Sequence, residues 1–210
     1  MESSQSDIEK QIEKAVVILK NGGLVAYPTD TVYGLGACIT ESEAVDRVFQ
    51  VKGRPKGMAL PVLLADCNQI KEIVISVSPA AQCLADEFFP GALTIILPKS
   101  SVVPDIITGG GKTVAFRIPN HPVPLALIKG LGKPIVGTSA NLSGHPSTLT
   151  AEEVRLQIGD KIDMVIDGGK CPGGIESTVI DLSGEKPVIR RQGAISIKRL
   201  RKVLAHIITP

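Results

Sequence analysis

Helix-like and strand-like patterns alternate along nearly the whole chain. Apolar residues recur at helical spacing over residues 8–19, a short apolar run follows at 24–27, and the alternation continues to about Leu204. Interleaved elements in this irregular order are typical of an α/β protein with an open twisted sheet of mixed strand direction. We therefore predict one domain over residues 8–204, with helices flanking the sheet and no second domain.

Turn and capping residues place the boundaries of these elements. Ser6 and Thr40 each begin a capping-box pattern, with glutamate three residues later, and Ser78 precedes a proline in the manner of a helix start. Helices are predicted at residues 8–19, 40–49, 78–88, 123–131, 152–158 and 197–204, and strands at 24–27, 60–65, 93–97, 113–118, 135–136, 164–166, 178–182 and 188–191.

Composition excludes several classes of protein. Hydrophobic residues make up 43% of the chain, enough for a substantial core. No apolar run approaches the roughly 20 residues that a membrane-spanning helix requires, and the N-terminal residues lack the order of a secretory signal. The four cysteines are scattered, which argues against a zinc site or a disulfide framework. We expect a cytoplasmic protein.

The charge balance argues against a dominant electrostatic grip on nucleic acid. The net charge is only +2, with 23 basic and 21 acidic residues. Tryptophan is absent, and four Phe and two Tyr leave few platforms on which bases could stack. A local basic cleft is still compatible with these numbers.

Residues 28–36 (PTDTVYGLG) place hydroxyl groups, a carboxylate and two glycines directly after a predicted strand. Polar side chains at the ends of strands line the ligand crevice of many α/β proteins. A turn in which Thr29 and Asp30 bond to their own backbone would explain the same composition. Both interpretations stay open at this point.

A cationic loop follows the second predicted helix. Lys52, Arg54 and Lys56 stand within five residues, among glycines and a proline that cannot continue the helix. Such a loop could neutralise a triphosphate and a departing pyrophosphate, although a solvated basic loop has the same composition. Neither GxxxxGK[ST] nor GxGxxG occurs, so a nucleotide site here would use another architecture.

Two further segments combine apolar runs with isolated polar groups. Arg117 lies in an otherwise apolar strand and therefore needs an anion, either a structural carboxylate or that of a substrate. Small hydrogen-bonding residues at 138–144 follow another apolar run. They could form the rim of a ligand site or cap a helix. No GxSxG motif occurs, and His121, His145 and His206 look incidental, so a serine hydrolase is not indicated.

The last motifs lie near the C-terminus. A glycine turn at residues 173–174 leads into the predicted strand 178–182, and Arg190 and Arg191 end the next strand. Each motif alone is weak evidence. Polar strand ends and cationic segments spread over the whole chain are, however, what one pocket assembled on an α/β sheet requires.

In combination and order, these motifs resemble those of the YrdC-like threonylcarbamoyl-AMP synthases, over roughly residues 8–204. The resemblance rests on PTDTVYGLG at 28–36, KxR at Lys52 and Arg54, PGALT at 90–94, the strand that holds Arg117, SxN at Ser139 and Asn141, and STVID at 177–181. It implies a twisted α/β sheet with a concave positive pocket.

The resemblance also implies an activity. Members of this family are nucleotidyltransferases that convert L-threonine, bicarbonate and ATP into threonylcarbamoyl-adenylate and pyrophosphate, for the threonylcarbamoyladenosine modification of tRNA. The expected cofactor is Mg²⁺ carried by ATP, with no metal held by the protein itself. Expected partners are the machinery that transfers the group to tRNA and, weakly, RNA, but no membrane.

By position, the resemblance assigns roles to eleven residues. The threonine site would comprise Thr31, Arg117, Gly137 and Ser177; the ATP site Arg54, Thr113, Ser139, Ser147 and Arg191; and the catalytic group Lys52, Arg54, Ser139 and Asn141. With no histidine base in view, we expect catalysis by positioning and by neutralisation of charge.

The chain departs from the family pattern at two positions. Many relatives have asparagine and histidine where this chain has Met58 and Leu63, so one ATP contact and one threonine contact must be made differently. Longer relatives also carry a C-terminal domain that closes over the pocket, whereas this sequence stops at Pro210.

Two other functions are compatible with the same motifs. One is the carbamoyl-adenylate-forming module of hydrogenase-maturation carbamoyltransferases, although the cysteine pairs and companion domains of those larger proteins are missing. The other is a non-catalytic factor in ribosome assembly that binds double-stranded RNA in the positive concavity.

Overall fold

The computed structural model describes residues 2–208, and these form nine strands and eight α-helices. The helices are α1 (Glu2–Lys20), α2 (Ser42–Lys52), α3 (Ile70–Ile73), α4 (Pro79–Phe88), α5 (Asp105–Thr108), α6 (Pro122–Leu131), α7 (Ala151–Ile158) and α8 (Ile197–Val203). The strands are β1 (Val25–Tyr27), β2 (Gly34–Cys38), β3 (Val62–Leu63), β4 (Leu93–Pro98), β5 (Thr113–Arg117), β6 (Ile135–Ser139), β7 (Met164–Val165), β8 (Thr178–Asp181) and β9 (Val188–Arg191).

All nine strands form one sheet in the order β7-β1-β2-β6-β3-β5-β4-β8-β9. The pairs β1–β7, β3–β5 and β4–β8 are parallel, and the other five pairs are antiparallel. The edge strands β7 and β9 do not pair with each other, so the sheet is open. Its strand directions are mixed. The predicted α/β class and mixed sheet are confirmed.

The two faces of the sheet are covered to different extents. One face packs against six helices in a large cluster that includes Phe49 of α2, Leu84 of α4 and Leu200 of α8. On the other face, α1 and α6 pack over a smaller cluster whose strand residues come from β1, β2, β3 and β6. The same face continues to Arg117 of β5, Thr94 of β4 and Arg191 of β9, and this partly covered face holds the cavity described below.

Two of the three predicted helix starts are wrong. Helix α1 begins at Glu2, so Ser6 lies inside the helix and not at its cap. Helix α2 begins at Ser42 after Glu41, without a side-chain capping bond, so the pattern at Thr40 does not act as a capping box. The third start is confirmed, because the hydroxyl of Ser78 accepts a hydrogen bond from the backbone N–H of Ala81 (3.2 Å).

Strand β2 was not predicted, because it contains two glycines that weaken strand propensity. Tyr27 on the neighbouring strand explains why they are there. A Cβ at Gly34 or at Gly36 would lie 2.8 Å from the Tyr27 ring, so a side chain at either position would collide with it. The glycines let the buried ring fill the space beside β2 and bring the backbone of this strand to the cavity.

Candidate active site

A cavity of about 500 Å³ opens on the sheet face that α1 and α6 cover in part. Register explains its floor, because Leu63 of β3 lies beside Arg117 of β5 and Gly137 of β6 lies beside Gly36 of β2. Ten of the eleven predicted residues line it: Thr31, Lys52, Arg54, Arg117, Gly137, Ser139, Asn141, Ser147, Ser177 and Arg191. One cavity therefore collects motifs that extend from Thr29 to Arg191 in the sequence.

Thr113 is the predicted residue that the structure does not bring to this cavity. It begins β5 and lies beside Pro98 of β4, whereas Arg117 ends the same strand at the cavity. Four residues of strand separate the two by roughly 13 Å. Because Thr113 lies at the far end of β5, it does not line the cavity.

Thr29 and Thr31 form the turn between β1 and β2, and both also line the cavity. The hydroxyl of Thr29 donates to the carbonyl of Val32 (2.6 Å) and accepts from the backbone N–H of Thr31 (3.0 Å). Both side chains are buried. The turn interpretation is therefore confirmed for Thr29 and wrong for Asp30, whose carboxylate bonds to Arg117 and to the backbone N–H of Asn120.

The guanidinium of Arg117 is held by three groups of the protein. Its Nε donates to the carbonyl of Gly91 (2.8 Å), one terminal nitrogen to the hydroxyl of Thr31 (3.0 Å), and the other to the carboxylate of Asp30 (2.5 Å). Asp30 also accepts from the backbone N–H of Asn120 (3.1 Å). We call these residues, Asp30, Thr31, Gly91 and Arg117, the Arg117 side of the cavity.

Arg117 remains able to bind a ligand. A guanidinium has five N–H donors, and these three bonds leave two of them. Only 7% of the residue is exposed. Burial lowers its pKa, and the neighbouring Asp30 carboxylate opposes that shift. The structural carboxylate foreseen for this arginine is Asp30, and it orients the side chain without using all its donors.

Lys52 joins the KxR element to the SxN element. Its ammonium donates to the carbonyl oxygens of Ser139 and Asn141 (2.7 Å to Asn141) and to the side-chain oxygen of Asn141 (3.2 Å). An ammonium has three donors, so this arrangement uses all of them on the protein itself. Burial, followed by the nearby Arg54 cation, lowers the pKa of Lys52 to about 8.

Asn141 completes this connection. Its amide nitrogen donates to the carbonyls of Leu142 (3.0 Å) and His145 (2.6 Å), while its oxygen accepts from Lys52. The residue is 5% exposed. Both Lys52 and Asn141 thus hold the end of β6 and the loop after it in place, and this segment carries Ser139, Asn141 and Ser147 along the cavity.

Another part of the cavity lining contains two half-exposed arginines and a carboxylate. Arg191 donates through Nε and a terminal nitrogen to the carbonyl of Ser177 (3.1 and 2.9 Å) and through its other terminal nitrogen to the carboxylate of Glu176. The hydroxyl of Ser147 donates to the same carboxylate (3.0 Å). We call Arg54, Ser147, Glu176 and Arg191 the Arg191 side.

Arg54 has the most unsatisfied donors on the Arg191 side. One terminal nitrogen donates to the carbonyl of Ala59 (2.9 Å), while its Nε is buried without a partner among the described residues. Burial is the largest cause that lowers its pKa, and the second is the positive charge of Arg191. The Arg191 side therefore has two arginines and only one carboxylate among its named residues.

Three cavity residues escaped the sequence analysis. Glu176 precedes Ser177 within the 173–181 motif, so its position was visible but its role was not. The hydroxyl of Thr94, in PGALT, lies 2.8 Å from that of Ser177. His145, considered incidental, lines the cavity, whereas His121 caps α6 by accepting from the N–H of Val123 (3.2 Å).

Met58 and Leu63, the two departures from the family pattern, both line the cavity. Leu63 packs over Gly137, where a Cβ would lie 2.3 Å from its Cγ. Met58 is 49% exposed at the edge. Leu63 thus presents an apolar side chain on the floor of the cavity, and Met58 presents one at its rim.

Comparison with known proteins supports the pattern of motifs. A family model for Sua5, YciO and YrdC, described as telomere recombination, matches residues 17–193. The chain belongs to the Sua5/YciO/YrdC family. Every cavity-lining residue named above falls within the matched range.

Relatives within the Sua5/YciO/YrdC family include two proteins named threonylcarbamoyl-AMP synthase. The one from Pyrococcus abyssi is 44% identical over 95% of this chain and 58% of its own length. The one from Bacillus subtilis is 40% identical over 95% of this chain and 58% of its own length. The chain thus spans somewhat more than half the length of these relatives.

A solved structure of a Sua5/YciO/YrdC protein has the same fold. The crystal structure of P. abyssi Sua5 complexed with L-threonine superposes with a TM-score of 0.93 at 43% identity, covering 95% of this chain and 58% of that one.

Across residues 2–208, no helix is both long enough and apolar enough to cross a membrane.

Proposed function

We propose that this chain makes threonylcarbamoyl-adenylate and pyrophosphate from L-threonine, bicarbonate and ATP, and so acts as a nucleotidyltransferase. The observation that carries the proposal is the division of one cavity into the oriented Arg117 side and the cation-rich Arg191 side. Such a cavity suits an amino acid next to a polyphosphate. The names of the relatives and the threonine bound to P. abyssi Sua5 support the same substrates.

L-Threonine would bind at the Arg117 side. The two remaining N–H donors of Arg117 suit its carboxylate, because a guanidinium can bind both oxygens at once. The hydroxyl of Thr31 bonds to Arg117, the hydroxyl of Ser177 lines the cavity next to Arg191 (3.2 Å), and Gly137 leaves room above the floor. Asp30 neutralises Arg117 in advance, so the zwitterionic substrate would enter a site with little excess charge.

ATP would bind along the Arg191 side. Arg54 and Arg191 supply cations for the phosphates, and Ser139 and Ser147 supply hydroxyls. Thr113, assigned to ATP by the resemblance, lies too far along β5 to join them in this conformation. Lys52 and Asn141 would act by holding the end of β6 and the loop after it, which carry the two serines, since their polar groups are used on the protein.

The proposed reaction has two steps. The neutral amine of threonine attacks the carbon of bicarbonate, a C–N bond forms, and water leaves, which gives a carbamate. A carbamate oxygen then attacks the α-phosphorus of ATP, and the bond from this phosphorus to the bridging oxygen breaks. Pyrophosphate takes the electron pair, and the nearby Arg54 and Arg191 would neutralise the charge that develops on it.

The chain would contribute to these steps mainly by alignment. Arg117 and Ser177 hold one reactant, Arg54 and Arg191 hold the other, and both sets lie on one sheet. Holding two reactants in line replaces a collision between them by a step within one complex. His145 also lines the cavity from the loop after β6, where its backbone carbonyl accepts from Asn141.

Magnesium would enter with ATP. Among the described lining residues Glu176 carries the one carboxylate, and no group of three or more His, Cys, Asp or Glu side chains suited to a metal occurs in residues 2–208. Such a donor set fits an ion coordinated mostly by phosphate oxygens and water. When bound, Mg²⁺ would neutralise phosphate charge.

Further parts of the proposal concern the setting of the enzyme. The product would pass to machinery that modifies an adenosine of tRNA, in the cytoplasm, with at most weak contact to RNA. Four free cysteines suit a reducing compartment. We also propose that residues 8–204 act as one catalytic domain, since the two hydrophobic clusters share a single sheet.

Release of pyrophosphate from ATP by the purified protein tests the proposed reaction. Turnover should require both threonine and bicarbonate. Dependence on carbamoyl phosphate instead would move the chain to carbamoyl-adenylate formation. Absence of turnover with either substrate, together with salt-dependent binding of double-stranded RNA, would favour a binding protein and contradict the proposal.

A pair of arginine substitutions tests the assignment of the two sides. Arg117→Lys keeps the charge and loses the planar fork, so the KM for threonine should rise about tenfold or more while the KM for ATP changes little. Arg47→Lys is the matched control, because Arg47 also pairs with an aspartate, Asp163 (3.0 Å), but on the surface. Equal effects of Arg117→Lys on both KM values would contradict the assignment.

A further inference from the structure

Glu176 is an acidic residue in a cavity that is otherwise lined by cations and neutral groups. Its carboxylate accepts hydrogen bonds from Ser147 (3.0 Å) and from a terminal nitrogen of Arg191. Both donors are groups that the proposed function assigns to ATP. In the conformation seen here, a carboxylate of the protein therefore occupies the place of an anionic ligand.

The backbone of Glu176 is fixed, whereas its side chain is able to move. The carbonyl of Glu176 accepts from the N–H of Ala194 (2.9 Å), and a Cβ at Gly193 would lie 2.2 Å from that carbonyl oxygen. The backbone of the two segments thus packs too closely to slide. The side chain of Glu176 is 34% exposed, so rotation about its own bonds can carry the carboxylate into solvent.

Charge explains why some anion must occupy this place. Arg54 lies close enough to Arg191 that the positive charge of Arg191 contributes to the lowered pKa of Arg54. Glu176 acts in the opposite direction on both Arg54 and Lys52. Either the carboxylate or a ligand phosphate can supply the compensating charge.

We propose that Glu176 is a displaceable internal anion of the phosphate site. A phosphate group of the nucleotide exchanges with the Glu176 carboxylate at Arg191 and Ser147, and the carboxylate returns when pyrophosphate leaves. Glu176 is thus a positioning residue that weakens the binding of small phosphate anions and assists release of the product. The identity of the phosphate ligand rests on the proposed function; the exchange itself does not.

Calorimetric titration with inorganic pyrophosphate, without divalent metal, tests the exchange directly. Glu176→Gln keeps the shape and removes the competing charge, so pyrophosphate should bind about two- to fivefold more tightly, the range expected for an ion pair of this exposure. Glu185→Gln is the matched control, because Glu185 is exposed outside this cavity, and its affinity should equal that of the wild type. Unchanged or weaker binding by Glu176→Gln would overturn the proposal.

Two further measurements separate the exchange from other roles of Glu176. In turnover assays, Glu176→Gln should lower the KM for ATP and lower kcat, because pyrophosphate leaves more slowly. If Glu176 were instead a ligand of Mg²⁺, the variant would bind pyrophosphate more weakly only when Mg²⁺ is present, and that result would also overturn the proposal.

A second variant covers the case in which Glu176→Gln does not fold. Glu176→Asp keeps the charge but withdraws it by one methylene from Arg191. Its affinity for pyrophosphate should lie between those of the wild type and Glu176→Gln. Where Glu176→Gln does not fold, the expected result is an affinity above that of the wild type. Affinity at or below the wild-type value would contradict the exchange. Because these titrations use neither threonine nor turnover, their outcome is independent of whether threonine is the substrate.

Discussion

The Arg117 side and the Arg191 side of the cavity hold arginines in different ways. Arg117 is 8% exposed in its side chain and bonded to Asp30, Thr31 and Gly91 before any ligand arrives. The side chain of Arg191 is 45% exposed and paired with Glu176, itself 34% exposed. The first arrangement is a fixed part of the fold, and the second can be exchanged.

This difference suits the two proposed ligands. A small zwitterion provides few contacts, so a site that is ordered in advance binds it without a further loss of side-chain entropy. A polyphosphate provides several charges and can compensate for the displacement of a carboxylate. The Arg117 side would therefore determine which amino acid binds, while the Arg191 side would determine how easily phosphate enters and leaves.

The largest effect is expected for Asp30→Ala. Removing this carboxylate leaves the buried guanidinium of Arg117 without its counter-charge, and breaking a buried pair in this way lowers the free energy of unfolding by about 3–5 kcal/mol. The KM for threonine should rise as well. Denaturant unfolding and threonine-dependent release of pyrophosphate measure the two effects.

Asp167→Ala is the control for Asp30→Ala. Asp167 pairs with Arg155 at 3.6 Å, and both side chains are 52% exposed, so its loss should lower the free energy of unfolding by less than about 1 kcal/mol. Similar losses for the two variants would mean that the Arg117 side is not locked.

The second prediction concerns the pH dependence of stability through Lys52. Its pKa is about 8 in the folded protein and near 10.5 when unfolded, so between these values the unfolded state binds more protons and stability rises with pH. Relative to Lys52→Met, the wild type should gain up to about 3 kcal/mol between pH 8 and pH 10.5. Denaturant unfolding of both proteins across this range is the measurement.

Tyrosine and cysteine titration also changes stability at high pH, which is why the comparison with Lys52→Met matters. Burial raises the pKa of Tyr33 to about 12, so the folded state keeps its proton longer and loses stability above pH 10. That contribution is the same in both proteins and cancels in the difference. Parallel pH curves would show that Lys52 does not titrate in this range.

Much of this architecture was predictable because it follows from local patterns. The alternation of apolar periods indicated an α/β sheet, and polar residues at the ends of strands indicated where a cavity would form. Arg117 was a clear signal, because a charge in an apolar strand requires a partner. That partner, Asp30, lies 87 residues away in a motif that looked like a turn.

The remainder depended on contacts between distant segments. Strand β2 became visible only with the Tyr27 ring packed against its glycines. Lys52 looked like a phosphate ligand, whereas its donors are used on carbonyl oxygens 87 and 89 residues away. Thr113 and Arg117 share a strand, but sequence alone did not show which end of that strand reaches the cavity.

The third prediction tests the floor between the two sides. Gly137→Ala would place a Cβ 2.3 Å from Cγ of Leu63, so Leu63 must move, and the free energy of unfolding should fall by about 1–3 kcal/mol. Adding Leu63→Ala should remove that collision, so the double variant should lose less than the sum of the two single variants. Additive losses in denaturant unfolding would contradict this packing.

The smallest effect is expected for Ser147→Ala. The Ser147 hydroxyl makes one hydrogen bond, to the half-exposed carboxylate of Glu176, and water can replace it there. The free energy of unfolding should therefore fall by less than about 1 kcal/mol. The same denaturant assay measures it beside Asp30→Ala. A loss above about 2 kcal/mol would show that the Arg191 side is as rigid as the Arg117 side, and a rigid carboxylate could not exchange with phosphate.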